Sequence, residues 1–222
     1  MKILKNPSNK ATLSIFILLY LSLVFGFFYN EDIAGGGVLD RTFQKHLLSQ
    51  GFMNGINGFL TIFYPSSTII HSPVYYILIH KLENIFNNDI LFRFFLLNIS
   101  ILIPLCLINI LKTIYNKSNL IIIIPLLLFL SPNFRTIAIW SGREIFSLIF
   151  LCVSIYYYLD NFNMFKIKNI LLSFLFLSLA SYISYEYGFI SIIYFYKLFK
   201  DSKDRHYLYP IIIYNFFYLC HY

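Results

Sequence analysis

The chemistry this chain offers is concentrated in a few charged residues at the edges of long apolar runs. Glu31 and Asp32 follow directly on the run 11–29, and Asp40 comes soon after, behind Gly35, Gly36 and Gly37. Glu144 and Glu186 border later runs, Arg93 and Arg143 open two of them, and His71 and Tyr75 belong to the stretch His71-Ser72-Pro73-Val74-Tyr75-Tyr76. Ionisable groups at the edge of hydrocarbon are costly and tend to serve function. A carboxylate there can act as general base on a hydroxyl. An arginine can hold a phosphate through paired N–H groups and stabilise the charge that develops on it. The combination suits transfer between a lipid-borne anion and a hydroxyl. A sugar on a polyprenyl phosphate fits, because the phosphate already leaves well and no general acid is needed, unlike hydrolysis of an ordinary glycoside. Asp32, Asp40 and Glu31 are the candidate catalytic residues, with the choice among them open. Arg93, Arg143, Glu144, His71, Tyr75 and Glu186 are the candidate substrate-binding residues. The glycines before Asp40 permit a close backbone approach to a ligand.

The elements that must position these residues are set by composition. Of 222 residues, 59% are hydrophobic and only 12% charged, about half the charge of a soluble domain. That excludes an ordinary water-soluble globule and predicts an all-α integral membrane protein forming a single membrane domain. Residues 1–10 read as a basic cytoplasmic tail. Residues 11–29 form an uncleaved first span, close to the ~20 residues needed to cross ~30 Å of hydrocarbon. Residues 30–90 read as a long outer loop carrying interfacial amphipathic helices, around Asp40–Leu48 and Val74–Phe86, with a Gly- and Asn-rich loop at 51–65 between them. Residues 91–222 hold the remaining spans, about seven in all, several of them short. A break at Glu186–Gly188 separates two of them.

The basic residues test this layout. With the N-terminus in the cytoplasm, most of the 17 Lys and Arg residues fall inside, with only Asp160, Asp201 and Asp204 among the acids. That distribution follows the positive-inside rule. The +7 net charge is therefore a topology signal, and no nucleic-acid partner is expected. Ser131–Glu144 and Ser184–Gly188 then meet the same outer face as residues 30–93. Cys106, Cys152 and Cys220 all lie in apolar runs and read as small packing residues. Asn98-Ile99-Ser100 and Asn116-Lys117-Ser118 match the glycosylation sequon by chance, one in a span and one on the inner side.

The order of these features resembles the GT-C membrane glycosyltransferases, the group that includes protein O-mannosyltransferases and the aminoarabinose transferases that modify lipid A. In that group an acidic motif follows the first span, and a long outer loop with interfacial helices comes next. An H-P-P-L-Y-Y-like element and an Arg opening the second span complete the pattern. Here the corresponding residues are Glu31-Asp32, Leu47-Leu48-Ser49-Gln50-Gly51, His71 to Tyr76, and Arg93. Ser131-Pro132 follows the third span, and Arg143-Glu144 opens the fourth, where the group places a second acidic residue. Ser72 replaces the first proline, and Asp40 behind the glycines is a second candidate for the acid. The resemblance covers roughly residues 10–190 and implies a polyprenyl-phosphate-sugar donor, a glycan, lipid or protein acceptor, and a site at the outer face of a bacterial inner membrane. It implies no cofactor, although carboxylates alone can bind a hard divalent ion. Members of the group are longer, and the apolar end at Cys220-His221-Tyr222 reads as the N-terminal part of such a protein. The alternatives are a transporter or flippase for a lipid-linked saccharide, which predicts broken helices and charges near the bilayer midplane, and a non-catalytic fragment.

Overall fold

The computed structural model describes residues 7–49, 73–86, 88–115, 120–160 and 167–201. Among them every regular element is helical, and no strand occurs. Helix α1 (Pro7–Phe28) is apolar along its length and stops at a hydrogen-bonded cap. The Glu31 N–H donates to the Gly26 carbonyl at 2.9 Å and the Asn30 N–H to the Phe27 carbonyl at 3.1 Å. Asn30 takes φ 51°, the left-handed cap position that glycine usually fills and asparagine tolerates. The chain then turns through Gly35 (φ 76°) and Gly36 (φ 87°). A Cβ at either would meet open space, so these glycines are required by the backbone conformation.

Helix α2 (Gly37–Ser49) follows, then α3 (Pro73–Phe86), which begins on proline, where the missing N–H costs nothing. Both expected amphipathic helices are thus helices. Helix α4 (Asp89–Ser100) is capped by Asn88, whose side chain accepts from the Ile90 and Leu91 amides. It continues through Ile101 into α5 (Leu102–Ile114). Next come α6 (Leu120–Leu126), a 3-10 turn (Leu127–Leu130), α7 (Pro132–Ile139), α8 (Glu144–Asp160) and α9 (Ile167–Ile183). A second 3-10 turn (Tyr185–Phe189) and α10 (Ile190–Asp201) complete the described chain. The break expected at Glu186–Gly188 is this second turn.

Fewer helices than the seven expected spans have the length of a full crossing. Among the described residues two helical stretches, Ala11–Phe28 and Asp89–Ile114, are long and apolar enough to cross a membrane. A third counts if α7 and α8, bent by 114° at their junction, are taken as one span. The shortfall from seven has local causes. Pro125 sits inside α6, where it deletes a backbone hydrogen bond, and the helix tightens into a 3-10 turn. Helix α7 has only 8 residues and α9 only 17. The last expected span, from Tyr207 onward, lies outside the described residues, as do the 51–65 loop and His71.

One apolar core joins α1, α3, α4, α5, α7 and α8 around Leu23, Ile79, Phe92, Leu96, Phe129 and Ile139, all fully buried. A second, around Phe174, Leu177 and Tyr194, joins α8, α9 and α10. Helix α2 turns two polar side chains inward. Arg41 and Gln44 are 3% and 4% exposed, whereas Leu39 is 74% exposed. An outward-facing leucine beside buried polar groups is what a helix lying in a membrane interface presents. Gly37 sets how closely this helix docks. A Cβ there would lie 2.6 Å from Trp140 Cδ1 and 2.9 Å from Thr136 Cγ2. Gly37→Ala should therefore cost about 1–3 kcal/mol by overpacking, read as a lower apparent melting temperature. An unchanged value would mean that α2 does not rest on Trp140.

Candidate functional site

A cavity of about 430 Å³ opens where the glycine turn, α2, α3, the α7–α8 junction and the second 3-10 turn meet. Ala34, Gly35, Gly37, Asp40, Arg41 and Gln44 form one wall, and Tyr75 reaches it from α3. Asn133, Thr136, Ile137 and Trp140 of α7 form the second wall, and Ser141 to Glu144 the third, with Leu148 and Tyr187 closing it. The volume lies within the range of small-molecule sites, ~300–1,000 Å³.

Four of the residues expected from the sequence line this cavity: Asp40, Tyr75, Arg143 and Glu144. Asp40 is in the first turn of α2. Among the described residues its carboxylate takes part in no hydrogen bond or ion pair. Partial burial pushes its carboxyl above the usual range, the Arg143 guanidinium pulls it back, and the Asp32 carboxylate pushes it up again. Arg143 donates through Nε to Glu144 Oε1 at 3.2 Å. Its two terminal nitrogens carry no partner among the described residues. The cavity therefore holds one free carboxylate and one guanidinium with open donors.

Tyr75 lines the cavity, but its hydroxyl is engaged. It accepts from Gln44 Nε2 at 2.9 Å and donates to the Ser141 carbonyl at 2.5 Å. Arg41 is engaged as well. It reaches Asp89, Glu83 at 2.7 Å and the Gln44 side-chain oxygen, and it lies over the Phe92 ring. Lys45 adds a 2.9 Å contact to Asp89.

The remaining expected residues are elsewhere. Glu31 forms a two-point ion pair with Arg135 of α7. Asp32 caps α2, Oδ1 accepting from the Gly37 amide at 3.2 Å and Oδ2 from the Val38 amide at 3.3 Å. Asp32 thus satisfies the first amides of α2 from five residues upstream, where the helix dipole favours a carboxylate. Arg93 is 6% exposed and does not line the cavity. It stacks on Trp140, 3.9 Å from the ring centroid, and on Phe27 at 5.2 Å, and donates to the Ile139 carbonyl and to Asn30 Oδ1. Glu186 is exposed in the second 3-10 turn, while its neighbour Tyr187 reaches the cavity.

Tyr187, Asn133 and Thr136 were not among the sequence candidates. Burial pushes the Tyr187 phenol up, with Glu144 and Glu186 adding to the effect and a hydrogen bond with Ser147 opposing it. At neutral pH the phenol keeps its proton and can donate it in a hydrogen bond. Asn133, Thr136, Ile137 and Trp140 recur at helical spacing after Ser131-Pro132, which caps and opens α7. The i, i+3, i+4, i+7 pattern was the available signal for this wall.

The junction between α7 and α8 repeats the cap that ends α1. The Gly142 N–H donates to the Ile137 carbonyl at 2.7 Å and the Trp140 N–H to the Thr136 carbonyl at 3.0 Å. Ser141 takes φ 60°, so a serine sits where glycine is usual. Among the described residues no group of three or more His, Cys, Asp or Glu side chains is placed to hold a metal ion. Comparison of the chain with protein-family models, with curated proteins and with solved structures finds no match.

Proposed function

We propose that this chain is a membrane glycosyltransferase. It uses a polyprenyl-phosphate-linked sugar at the outer face of a bacterial inner membrane, in envelope polysaccharide or lipid modification. The observation that carries the reading is the pairing of an unengaged Asp40 carboxylate with the open donors of Arg143 in one cavity at the ends of apolar helices. Asp40 takes the acceptor hydroxyl's proton as general base. Arg143 holds the donor phosphate and stabilises the charge it gains as the glycosidic bond breaks. Tyr187 and Glu144 complete the polar lining. The direct test gives membranes containing the protein a panel of polyprenyl-phosphate monosaccharides and follows release of free polyprenyl phosphate. Release that depends on Asp40 supports the reading. A folded protein that turns over no donor in the panel rejects it.

The pH dependence follows from the Asp40 environment. A base works ionised, so turnover falls as pH drops through its pKa. Because that pKa is raised, the acid limb of the rate profile should lie above the ordinary aspartate value of about 3.9. Asp32→Asn removes a like charge while an asparagine still caps α2. It should lower the Asp40 pKa and move the acid limb to lower pH. A limb that stays in place would remove Asp40 from the rate-determining ionisation.

The reading includes the seven-span topology with the N-terminus inside, in which the shorter helices α8, α9 and α10 also count as spans. In a background lacking the native cysteines, Thr42→Cys should react with a membrane-impermeant maleimide added outside, and Lys112→Cys should not. The reverse pattern overturns this orientation.

A second reading, a flippase for a lipid-linked saccharide, draws support from the 114° break between α7 and α8, since broken helices carrying charge mark transporter sites. Movement of an intact lipid-linked sugar across vesicles, with no release of polyprenyl phosphate, would favour it.

A further inference from the structure

Helix α2 turns Asp40 toward the cavity and Arg41 and Gln44 into the protein. The buried pair begins a continuous hydrogen-bond chain. The Gln44 amide oxygen accepts from Arg41 Nη1, the Gln44 amide nitrogen donates to the Tyr75 hydroxyl at 2.9 Å, and that hydroxyl donates to the Ser141 carbonyl at 2.5 Å. The side chains of Arg41, Gln44 and Tyr75 are all buried. The chain has one possible direction. A guanidinium only donates, so the amide must turn its oxygen to Arg41 and its NH₂ to the phenol. The phenol then has a single proton, and the Ser141 carbonyl takes it. At its near end the chain is anchored by Arg41, which Asp89 and Glu83 hold. At its far end it grips the backbone of Ser141, a non-glycine residue at φ 60°, two residues before Arg143. A left-handed non-glycine residue costs about 1–2 kcal/mol and persists where its surroundings hold it.

We propose that Gln44 and Tyr75 are positioning residues: the chain they form fixes the Asp40 helix against the turn that presents Arg143, and so sets the distance between base and phosphate clamp. The inference rests on the transferase reading for its kinetic consequence, but the coupling of the two walls stands on geometry alone. Neither residue touches the reacting atoms. Each acts through the element it holds, and a displacement of about 1 Å at a reacting pair costs on the order of 10²-fold in rate.

The test uses Tyr75→Phe, which keeps the ring against Phe146 and deletes both hydrogen bonds, and Gln44→Leu, which keeps most of the volume. Thr42→Ala, on the exposed side of α2, is the control. In full-length protein supplied with the polyprenyl-phosphate sugar that the wild type turns over, both variants should lose about 10- to 100-fold in kcat. The donor KM should stay within about two-fold, because neither residue holds the donor. A merely structural role would reduce the amount of folded protein and leave kcat per folded molecule unchanged, and that result overturns the proposal. A second measurement needs no activity. With Cys106, Cys152 and Cys220 replaced by serine, nitroxide labels are placed at the exposed positions Leu39 and Tyr156, one on α2 and one on α8, the helix that follows the Ser141 turn. They should give a narrow distance distribution that broadens in Tyr75→Phe. An unchanged distribution overturns the coupling. If the wild type consumes no donor, the transferase reading fails, and the label distances alone decide whether the chain couples the two walls.

Discussion

Asp40→Asn should lower sugar transfer by about 10²- to 10⁴-fold, the range expected when a general base is removed, while the protein folds and inserts as the wild type does. The folding half of this expectation is as firm as the catalytic half. Among the described residues the Asp40 carboxylate makes no hydrogen bond and no ion pair, so replacing it by an amide breaks nothing. Partial desolvation and the Asp32 carboxylate both disfavour its charge, so neutralising it removes an unfavourable term. A site residue that strains its own fold slightly and gives nothing back to it is a typical catalytic acid or base. Donor binding should change little, because the proposed phosphate contact is Arg143 and not Asp40. The measurement is single-turnover transfer per folded molecule, set beside donor titration. Wild-type turnover in Asp40→Asn would return the base to one of the other carboxylates.

Glu31 is the carboxylate for which the opposite result is expected. Glu31→Gln should destabilise the protein by about 3 kcal/mol, as breaking one side of a buried ion pair does. Arg135 is buried, and all its donors are engaged. Nε and Nη2 meet the Glu31 carboxylate, Nη1 meets Ser22 Oγ at 3.2 Å and the Phe129 carbonyl at 3.1 Å, and Nη2 also meets the Ser22 carbonyl at 3.0 Å. Removing the carboxylate leaves a charged group in the interior with no counter-charge and three of its five hydrogen bonds. The pair also needs Gly26, where a Cβ would fall 2.3 Å from Glu31 Oε2 and 2.6 Å from Arg135 Nη2. Gly26→Ala should reproduce the loss without touching either charge. The double variant Glu31→Leu with Arg135→Leu should regain most of the stability, since exchanging a whole buried pair for apolar side chains is often neutral. Apparent melting temperatures across the set decide the matter. A double variant as unstable as Glu31→Gln would show that the pair is not the cause. Loss of turnover in a stable double variant would restore Glu31 to the chemistry.

Asp40 and Glu31 show how far the sequence reaches. Their side chains are nearly alike, both follow the first apolar run, and both satisfied the same argument from residue type. What separates them is Arg135, 104 residues along the chain from Glu31, which claims one carboxylate and leaves the other. The same holds for the arginines. Arg93 and Arg143 each open an apolar run, yet Arg93 is sandwiched between Trp140 and Phe27, and Arg143 faces the cavity. Spacing along the chain says nothing about which aromatic ring lies across from a guanidinium.

Local chemistry was legible throughout. An apolar, charge-poor composition determined an all-helical protein with helices able to cross a membrane, because only a helix satisfies its own backbone in hydrocarbon. The end of the apolar run at residue 29 marked the end of α1 to within a residue. The amphipathic stretches Asp40–Leu48 and Val74–Phe86 marked two helices, and Glu186–Gly188 marked a helix break. Each of these depends on neighbours within a few residues. Only the tertiary structure decided that α7 and α8 meet at a sharp bend with Ser141 in a left-handed turn, and that Arg41 and Gln44 of α2 point inward. Those outcomes depend on contacts between segments far apart in the chain. Such contacts also decide which charged groups are consumed by folding and which remain free to act.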